Sequence, residues 1–211
     1  MMHDEQLRIL DHPLADDALR LMRDETTGPA AFRGALERMT TLLCVAALED
    51  APRQAMLVRT PLEETAAATL GGRVLIAPVL RAGLGMVDPM LRLVPDAVVG
   101  CLGFYRNEQS LQPVAYYEKL PEAGEDYTTL VVDPMLATGG TSVAALDLLK
   151  ERGFPSPKLL CVIAAPEGVM AVRSVHPDVA IVAGALDREL NERGYILPGL
   201  GDAGDRQLGT L

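Results

Sequence analysis

The sequence predicts an α/β fold in which a doubly wound, mostly parallel sheet is flanked by helices. Short β-branched or apolar runs recur from residue 55 onwards, and helix-like stretches separate several of them. Strands that alternate with helices are typical of βαβ units and parallel sheets. The first fifty residues have a helical pattern instead, and residues 105–127 form an irregular, polar segment. We therefore also expect N-terminal helices and a small β-arm or hood.

The chain has the size and composition of a single domain. Its 211 residues would bury roughly 70% of the surface that the unfolded polypeptide exposes. Hydrophobic residues make up 49% and charged residues 23% of the sequence, which excludes a disordered polypeptide. No apolar run approaches the roughly 20 residues of a membrane span, and Met1–Asp24 is too charged for a signal peptide. We expect one cytoplasmic domain over residues 1–211 and no membrane partner.

The charge balance argues against a nucleic-acid partner. The net charge is −10, from 29 acidic and 19 basic residues. Proteins that bind nucleic acid need Lys and Arg to displace counterions from phosphates. A small phosphorylated substrate is not excluded, because a few arginines can be placed locally.

The cysteines and histidines point to no metal site within the protein. The sequence contains no C-x-x-C motif, and its three cysteines each lie in an apolar run: Cys44, Cys101 and Cys161. The three histidines also lack the spacing of metal ligands: His3, His12 and His176. We expect buried, reduced thiols that behave as small hydrophobic groups.

The first element with a clear pattern is a helix over Pro29–Asp50. Its apolar residues recur at steps of three and four, which places them on one face: Phe32, Leu36, Met39, Leu43 and Ala47. Pro29 suits the first turn, where no N–H is needed.

Strands and helices then alternate. The predicted strands are Ala55–Val58, Val74–Leu80, Ala97–Phe104, Leu130–Asp133, Leu159–Ala164 and Val179–Ala183. The predicted helices are Leu84–Leu93, Thr141–Arg152 and Pro166–Val175. Residues 105–127 carry three turn-forming residues, Pro113, Pro121 and Gly124, and are either a projecting flap or β-arm or a plain surface connection.

The segment after the predicted strand Leu130–Val132 has the features of an anion-binding loop. Asp133 is followed by Pro134–Gly140, a loop rich in Gly and Thr, and by a helix that Thr141 or Ser142 would cap. Such a loop presents free N–H groups and the positive end of the helix dipole to an anion. A Walker loop would need Lys here, which disfavours a nucleoside triphosphatase. An ordinary strand–turn–helix with a solvated Asp remains the alternative.

Four ordered motifs resemble one known family. VVDPMLATGGT at 131–141 resembles the phosphoribosyl diphosphate (PRPP) loop of type I phosphoribosyltransferases, and more narrowly that of the uracil phosphoribosyltransferase family. The same family is matched by APVLRAGLGM at Ala77–Met86, FYRNE at Phe104–Glu108 and GYILPGLGDAGD at Gly194–Asp205. The resemblance covers the whole chain, is weakest over Glu49–Gly71, and implies the type I phosphoribosyltransferase fold.

The resemblance also implies roles for individual residues. It implies PRPP contacts from Arg81, Arg106, Asp133, Pro134, Met135, Leu136, Ala137, Thr138, Gly139, Gly140, Thr141 and Asp202. It implies uracil contacts from Ile196, Gly201, Asp202 and Ala203, within a base-binding tail over residues 194–211. Of these, Asp133, Arg106 and Asp202 are the expected catalytic residues. Arg106 would act from an arm that closes over the diphosphate and excludes water.

The same tail contains a misleading motif. Gly199–Gly204 satisfies G-x-G-x-x-G, the dinucleotide-binding pattern. That pattern must open a helix inside a βαβ unit and be followed by an acid about 20 residues later, whereas the sequence ends at Leu211. A Pro- and Gly-rich loop instead exposes backbone groups that can match the acceptor, donor and acceptor edge of uracil.

The resemblance implies that uracil and PRPP give UMP and diphosphate, a pyrimidine salvage reaction. Mg²⁺ would be carried on the diphosphate of PRPP. A single acid, Asp133, precedes the loop where many type I enzymes have two, which leaves the general base unassigned. The alternatives are a pyrimidine-sensing RNA-binding regulator on the same fold and a transferase for another nucleobase. A homo-oligomer is expected, with GTP as a candidate effector because it activates some relatives.

Overall fold

The computed structural model describes residues 6–106, 113–154 and 156–210. Within these ranges the strands are β1 Leu7–Ile9, β2 Arg53–Arg59, β3 Glu64–Leu70, β4 Arg73–Leu80, β5 Val98–Val99, β6 Cys101–Arg106, β7 Pro113–Lys119, β8 Tyr127–Val132, β9 Met135–Leu136, β10 Lys158–Ala164, β11 Ile181–Leu186, β12 Glu189–Leu190 and β13 Ile196–Leu197. The α-helices are α1 Pro13–Arg23, α2 Pro29–Ala47, α3 Val87–Leu93, α4 Gly140–Glu151, α5 Pro166–Val175 and α6 Ala203–Leu208, with a 3₁₀ turn at Ala82–Met86.

A nine-stranded sheet organises these elements and confirms the predicted fold class. Its main path runs β1-β11-β10-β8-β4-β6-β7, with β5 beside β4 and β9 beside β10. All of these pairs are parallel except β6 with β7, which is antiparallel. Parallel neighbours bring their carboxyl ends to one edge of the sheet, where ligands of open α/β sheets bind.

Two hydrophobic clusters cover the two faces of the sheet. Along β4, Val74 and Ile76 belong to the cluster that contains α1, α2 and α3. Leu75 and Ala77 point the other way, into the cluster with residues of α4 and α5. This alternation follows from the two-residue period of a strand, and it makes the sheet doubly wound.

Helix α2 forms as its apolar spacing predicts. All five predicted core residues of the helix are buried: Phe32, Leu36, Met39, Leu43 and Ala47. Pro29 occupies the first turn. The helix ends at Ala47 rather than Asp50, and Leu48 is its C-cap.

The predicted strand Ala97–Phe104 is divided into β5 and β6. Both parts pair with β4, Val98 with Leu75 and Leu102 with Val79. The break lies beside Pro78, whose nitrogen has no hydrogen to donate to the ladder.

The run Ala55–Val58 is a strand but lies outside the central sheet. It is part of β2, which pairs with β3 in a separate antiparallel hairpin from Arg53 to Leu70. The sequence analysis missed β3, since its alanines give no strand signal. It also missed β1, whose three residues are too few to show a period.

The segment 105–127 contributes an edge strand to the sheet. Within it, β7 pairs antiparallel with β6, and Tyr105 lies against Tyr116 with ring centroids 6.4 Å apart. Residues 107–112 lie outside the described ranges, so closure of this segment over a ligand stays a prediction.

Two further sequence predictions concern thiols and membranes. All three cysteines are free; Cys44 and Cys161 are buried and Cys101 is partly buried. Burial raises the pKa of the Cys44 thiol to about 11. In the described ranges, no helix has both the length and the apolar character needed to cross a membrane.

Candidate active site

Two predicted site residues, Arg81 and Asp133, follow neighbouring parallel strands, so both lie at the same edge of the sheet. Strand β4 pairs in parallel with β8, with Pro78 opposite Val132 near their carboxyl ends. Arg81 directly follows β4, and Asp133 directly follows β8. The loop after β4 packs closely against the end of β8, since a Cβ on Gly83 would overlap the carbonyl oxygen of Val132.

The loop Pro134–Gly140 is held firmly against β10. The Pro134 carbonyl accepts hydrogen bonds from Val162 and Ile163, at 2.9 and 3.1 Å. The Leu136 carbonyl accepts from the N–H of Ala165 at 2.9 Å. The middle of the predicted loop is therefore a short strand, β9, which pairs with β10.

The helix after this loop is not capped by Thr141 or Ser142, as the sequence analysis expected. Helix α4 already begins at Gly140, and its N-cap is Gly139, which has no side chain with which to cap. Gly139 has a φ of 83°, a left-handed conformation that glycine adopts without a steric penalty. The loop therefore starts the helix by a backbone turn, and Thr141 and Ser142 lie inside the first turn.

The first turn of α5 packs directly on this loop. A Cβ on Gly168 would overlap the Ala137 carbonyl oxygen and lie 2.8 Å from that of Leu136. On the other side, a Cβ on Gly139 would lie 2.7 Å from the Ala171 Cβ. This close packing fixes the backbone that the sequence assigns to phosphate binding.

Asp133 is partly buried at the base of this loop, whereas the alternative interpretation expected a solvated Asp. Burial raises the pKa of its carboxyl to about 7, and the nearby Asp202 carboxylate adds to the rise. The Met135 N–H, 3.3 Å from Oδ1, lowers this pKa but does not cancel the effect of burial. The charges of the Asp133 and Asp202 carboxylates therefore influence one another, and the roles predicted for these two residues stay predictions.

Arg81 is exposed at the entrance to the site. Its Nη2 lies 3.5 Å from Oδ1 of Asp205, and 61% of its side chain is accessible. An exposed pair at this distance contributes little energy. The guanidinium is therefore free to exchange this contact for a bidentate bond to a diphosphate.

Arg106 is the last residue of β6, at the same edge of the sheet. Its side chain lies outside the described part of the protein. The predicted contact between Arg106 and PRPP therefore stays a prediction.

The C-terminal segment is packed into the core and is not a loose tail. Strand β13 pairs with β12, and three tail residues are buried in the α1–α3 cluster: Ile196, Leu200 and Ala203. Asp202 caps α6 by accepting from the Asp205 N–H at 2.9 Å. Its carboxylate and the backbone at Gly201 remain exposed.

The tail contacts both the loop after β4 and the loop after β8. Gln207 Nε2 donates to the carbonyl of Ala82, beside Arg81, at 2.7 Å. A Cβ on Gly194 would lie 3.6 Å from Thr138 Cγ2 in the PRPP loop. The structure therefore brings the predicted diphosphate, ribose and base residues together, apart from the undescribed Arg106 side chain.

Sequence reasoning missed two groups that hold the tail in place. Asp187 accepts hydrogen bonds from Arg23 and from the backbone N–H of Gly199. Glu167 Oε1 accepts from the Leu190 N–H of β12 at 3.0 Å. Asp187 follows the end of β11 just as Asp133 follows β8, and this position is a signal that could have identified it; nothing in the sequence marks Arg23.

The donor set fits a metal carried by substrate better than a resident metal. Among residues 6–106, 113–154 and 156–210, no three His, Cys, Asp or Glu side chains cluster as metal ligands do. Asp133 and Asp202 offer two carboxylates, fewer than the six oxygen ligands that Mg²⁺ prefers. Diphosphate oxygens and water would have to supply the others.

Comparison with known proteins gives one consistent result. The family model for uracil phosphoribosyltransferase matches residues 9–210. The protein is 50% identical over 203 residues to a uracil phosphoribosyltransferase of Geobacillus kaustophilus, covering 96% of this protein and 97% of the relative. It is 52% identical over 206 residues to one from Desulfitobacterium hafniense strain DCB-2, covering 97% and 99%.

Solved structures agree on the fold. A protein from Aquifex aeolicus, AQ2163, superposes with a TM-score of 0.87 at 37% identity, over 95% of this protein and 97% of that one. An adenine phosphoribosyltransferase from Leishmania donovani reaches a TM-score of 0.60 at 12% identity, over 89% and 86%. The second similarity concerns the fold alone.

Proposed function

Because this protein belongs to the uracil phosphoribosyltransferase family, we propose that the loops after β4 and β8 and the tail form one site for PRPP and uracil. The protein is an enzyme that transfers the phosphoribosyl group of PRPP to uracil. One observation supports the proposed site. The loop after β4, the loop after β8 and the tail come together at the carboxyl edge of the sheet, around Arg81, Asp133 and Asp202.

The PRPP half of the site is assigned to the two loops. As an anion, Asp133 would accept hydrogen bonds from the ribose hydroxyls, and Arg81 would bind the diphosphate through its guanidinium fork. The backbone N–H groups over 134–141 and the amino end of α4 would hold the 5′-phosphate. Thr138 and Thr141 add hydroxyl donors.

The uracil half is assigned to Ile196, Gly201, Asp202 and Ala203. The side chains of Ile196 and Ala203 are buried in the core, so only their backbone groups would face the base. Backbone carbonyl and N–H groups can match O2, N3–H and O4 of uracil. Asp202 would also contact PRPP.

The reaction is a displacement at the anomeric carbon of the ribose, with oxocarbenium-like charge in the transition state. The protein orients the two substrates and supplies electrostatic stabilisation. When bound on the diphosphate, Mg²⁺ would neutralise leaving-group charge as a Lewis acid. Arg81 and Arg106 would bind the same departing group, and Arg106 would do so as its arm excludes water.

Three further proposals concern the molecule in its setting. The hairpin β2–β3 exposes Met56, Leu57 and Leu62, and a cavity of about 1160 Å³ separates it from β1 and α2. This apolar surface supports the proposed homo-oligomer.

The proposed location is the cytoplasm, because buried free thiols suit a reducing compartment. Activation by GTP rests on the family resemblance alone.

The test is a panel of nucleobases. The purified protein is incubated with PRPP, Mg²⁺ and uracil, cytosine, adenine, guanine or hypoxanthine, and nucleotide formation is followed by chromatography. UMP should form from uracil and should stop when Mg²⁺ is chelated. Nucleotide formation mainly from another base would contradict the assignment to uracil, and no nucleotide formation from any base would contradict the proposed site.

A further inference from the structure

A partly buried ion pair outside the proposed substrate contacts holds the turn within the proposed uracil-binding tail. Asp187 directly follows β11, and only 4% of its side chain is accessible. Arg23 is the last residue of α1, with 26% of its side chain accessible. The guanidinium donates to both carboxylate oxygens, Nη1 to Oδ2 at 2.9 Å and Nη2 to Oδ1 at 2.5 Å.

Both members of this pair also bind the same tail residue. The Gly199 N–H donates to Oδ2 of Asp187 at 2.9 Å. The Gly199 carbonyl accepts from Nη1 of Arg23 at 2.9 Å. One ion pair therefore binds both the backbone N–H and the backbone carbonyl of Gly199. Arg23 and Gly199 are 176 positions apart in the sequence.

Gly199 lies between the two parts of the proposed uracil contact. Ile196 precedes it by three residues, and Gly201 follows it by two. Its φ is 69°, and a Cβ would collide with the Ile196 carbonyl oxygen. The turn at Gly199 therefore determines how the backbone at Ile196 is placed relative to the backbone at Gly201–Ala203.

Backbone hydrogen bonds also hold Asp187 and its neighbour Arg188 in place. The Asp187 N–H donates to the Ala164 carbonyl at 2.8 Å, at the end of β10. Arg188 donates through its N–H to the Leu197 carbonyl at 3.0 Å. The carboxylate thus ties the tail to the carboxyl ends of two central strands, the same edge that holds Asp133.

We propose that Arg23 and Asp187 are positioning residues for base recognition, which hold the Gly199 turn so that the backbone of the tail matches uracil. This inference rests on the proposed backbone contact with uracil. A buried ion pair is weak evidence for stability, because removing both charges from water offsets much of their attraction. Recognition by backbone groups, in contrast, depends on holding the backbone within a fraction of an ångström.

The first test compares Asp187→Ala and Arg23→Ala with the unaltered enzyme. We expect the KM for uracil to rise about 10-fold or more, on the scale of lost hydrogen bonds to charged groups. The uracil-to-cytosine ratio of kcat/KM should fall by a similar factor, while the KM for PRPP changes much less. The double variant should lose little more than either single variant, because the two side chains act as one unit.

The matched control is Asp126→Ala. Asp126 also forms a bidentate pair with an arginine, Arg73, at 2.7 and 2.8 Å, but at the amino ends of β4 and β8, on the opposite edge of the sheet. This variant should leave both KM values and the base ratio unchanged. Asp187→Asn and Arg23→Lys keep part of the hydrogen bonding and should give intermediate uracil-to-cytosine ratios of kcat/KM. These two variants replace the alanine variants in the test if the alanine variants do not fold.

A purely structural role predicts a different pattern. It would lower the melting temperature and the fraction of active enzyme, and so the apparent kcat, without changing the KM for uracil or the base ratio. That result in folded variants would overturn the proposal. If the unaltered enzyme itself does not distinguish uracil from cytosine, the proposed backbone contact with uracil is wrong. That outcome is distinct from a failure of the positioning role of Arg23 and Asp187.

Discussion

At the scale of single residues, the carboxyl of Asp133 meets two opposing requirements. Burial favours its protonated form and raises its pKa to about 7. In the proposed site, accepting hydrogen bonds from two ribose hydroxyls through both carboxyl oxygens favours the anion. Ionisation of Asp133 therefore opposes folding although the proposed binding role needs it, a combination that is typical of functional sites.

The first prediction concerns Asp133→Asn. Losing charged hydrogen bonds worth about 1.5–3 kcal/mol should lower kcat/KM for PRPP roughly 10- to 150-fold. In the unaltered enzyme, kcat/KM for PRPP should rise with pH and level off above the pKa of about 7, since this profile reports groups of the free enzyme. The variant should lose this rise. Unchanged PRPP kinetics in the folded variant would contradict the assignment.

The same substitution should change thermal stability in a pH-dependent way. Because the folded protein binds the Asp133 proton more tightly than the unfolded polypeptide, ionisation reduces stability as pH rises from about 4 to about 7. Asp133→Asn should therefore raise the melting temperature at about pH 8, and the gain should vanish below about pH 4. Calorimetry at both pH values measures this, and a lower melting temperature at the higher pH would contradict it.

At the scale of elements, glycines set the distance between the PRPP loop and α5. Gly168 leaves no room for a Cβ beside the Ala137 carbonyl, whereas Gly34 in α2 has nothing within 4 Å of that position. The difference distinguishes a glycine needed for close packing from one that the fold merely tolerates. It cannot be read from the sequence, where both glycines lie in helix-forming segments.

The second prediction uses this contrast. Gly168→Ala should displace the loop and raise the KM for PRPP, with a smaller effect on uracil. Gly34→Ala, the control at an exposed position of α2, should stabilise that helix by up to about 1 kcal/mol and leave the kinetics unchanged. Steady-state kinetics and denaturant unfolding measure both effects. Equal PRPP kinetics in the two variants would show that the loop tolerates the shift.

The third prediction separates the loops after β4 and β6. Arg81 is anchored beside a loop that interlocks with β8, so Arg81→Ala should weaken diphosphate binding and raise the KM for PRPP. Arg106 ends β6 where the arm begins, so Arg106→Ala should mainly lower kcat through incomplete closure. Identical losses confined to the KM for PRPP in both variants would refute arm closure.

The elements also show how far local sequence signals extend. Periodicity and β-branched runs identify α2, α5, β4, β8 and β10 because each buries a repeated face or a continuous apolar core. The cap of α4 was misassigned, since hydroxyl side chains at 141 and 142 suggest capping while the left-handed Gly139 starts the helix. Strand β1 depends entirely on its pairing with β11, which no local pattern reveals.

At the scale of the whole molecule, the tail is part of the core and not an appendage. Arg206 in α6 is buried, and it donates to the carbonyls of Met22, Leu200 and Asp24. Its guanidinium also stacks over Phe32, 4.6 Å from the ring centroid. Deleting 195–211 should therefore abolish uracil use chiefly by exposing the α2 core. Recognition is better tested by substitutions that keep the fold.

The packing of the tail into the core also explains how much of the site the sequence could predict. Motifs mark Arg81, Asp133 and the tail as candidates, because each follows a strand or carries an unusual Gly and Pro pattern, and their roles stay predictions. Long-range partners such as Arg23 and Asp187 could not be paired, since 164 residues separate them. Their contact exists only because α1 and the carboxyl end of β11 meet beneath the tail.

The last prediction concerns the choice of base. If Ile196 and Gly201–Ala203 bind uracil through backbone groups, cytosine should be rejected, because its amino group and bare N3 place donor against donor and acceptor against acceptor. Unpaired buried polar groups cost about 1–3 kcal/mol each, so the uracil-to-cytosine ratio of kcat/KM should be roughly 100-fold or more.

Ile196→Val makes the test specific to the backbone. The Ile196 side chain is 5% accessible and packs in the α1–α3 cluster, so removing one methylene should cost about 0.5–1.5 kcal/mol of unfolding free energy. It should leave the base ratio unchanged, because the groups that contact uracil remain. Comparable kcat/KM for the two bases in the unaltered enzyme would refute backbone recognition. A ratio that falls in Ile196→Val without loss of folding would instead assign recognition to the side chain.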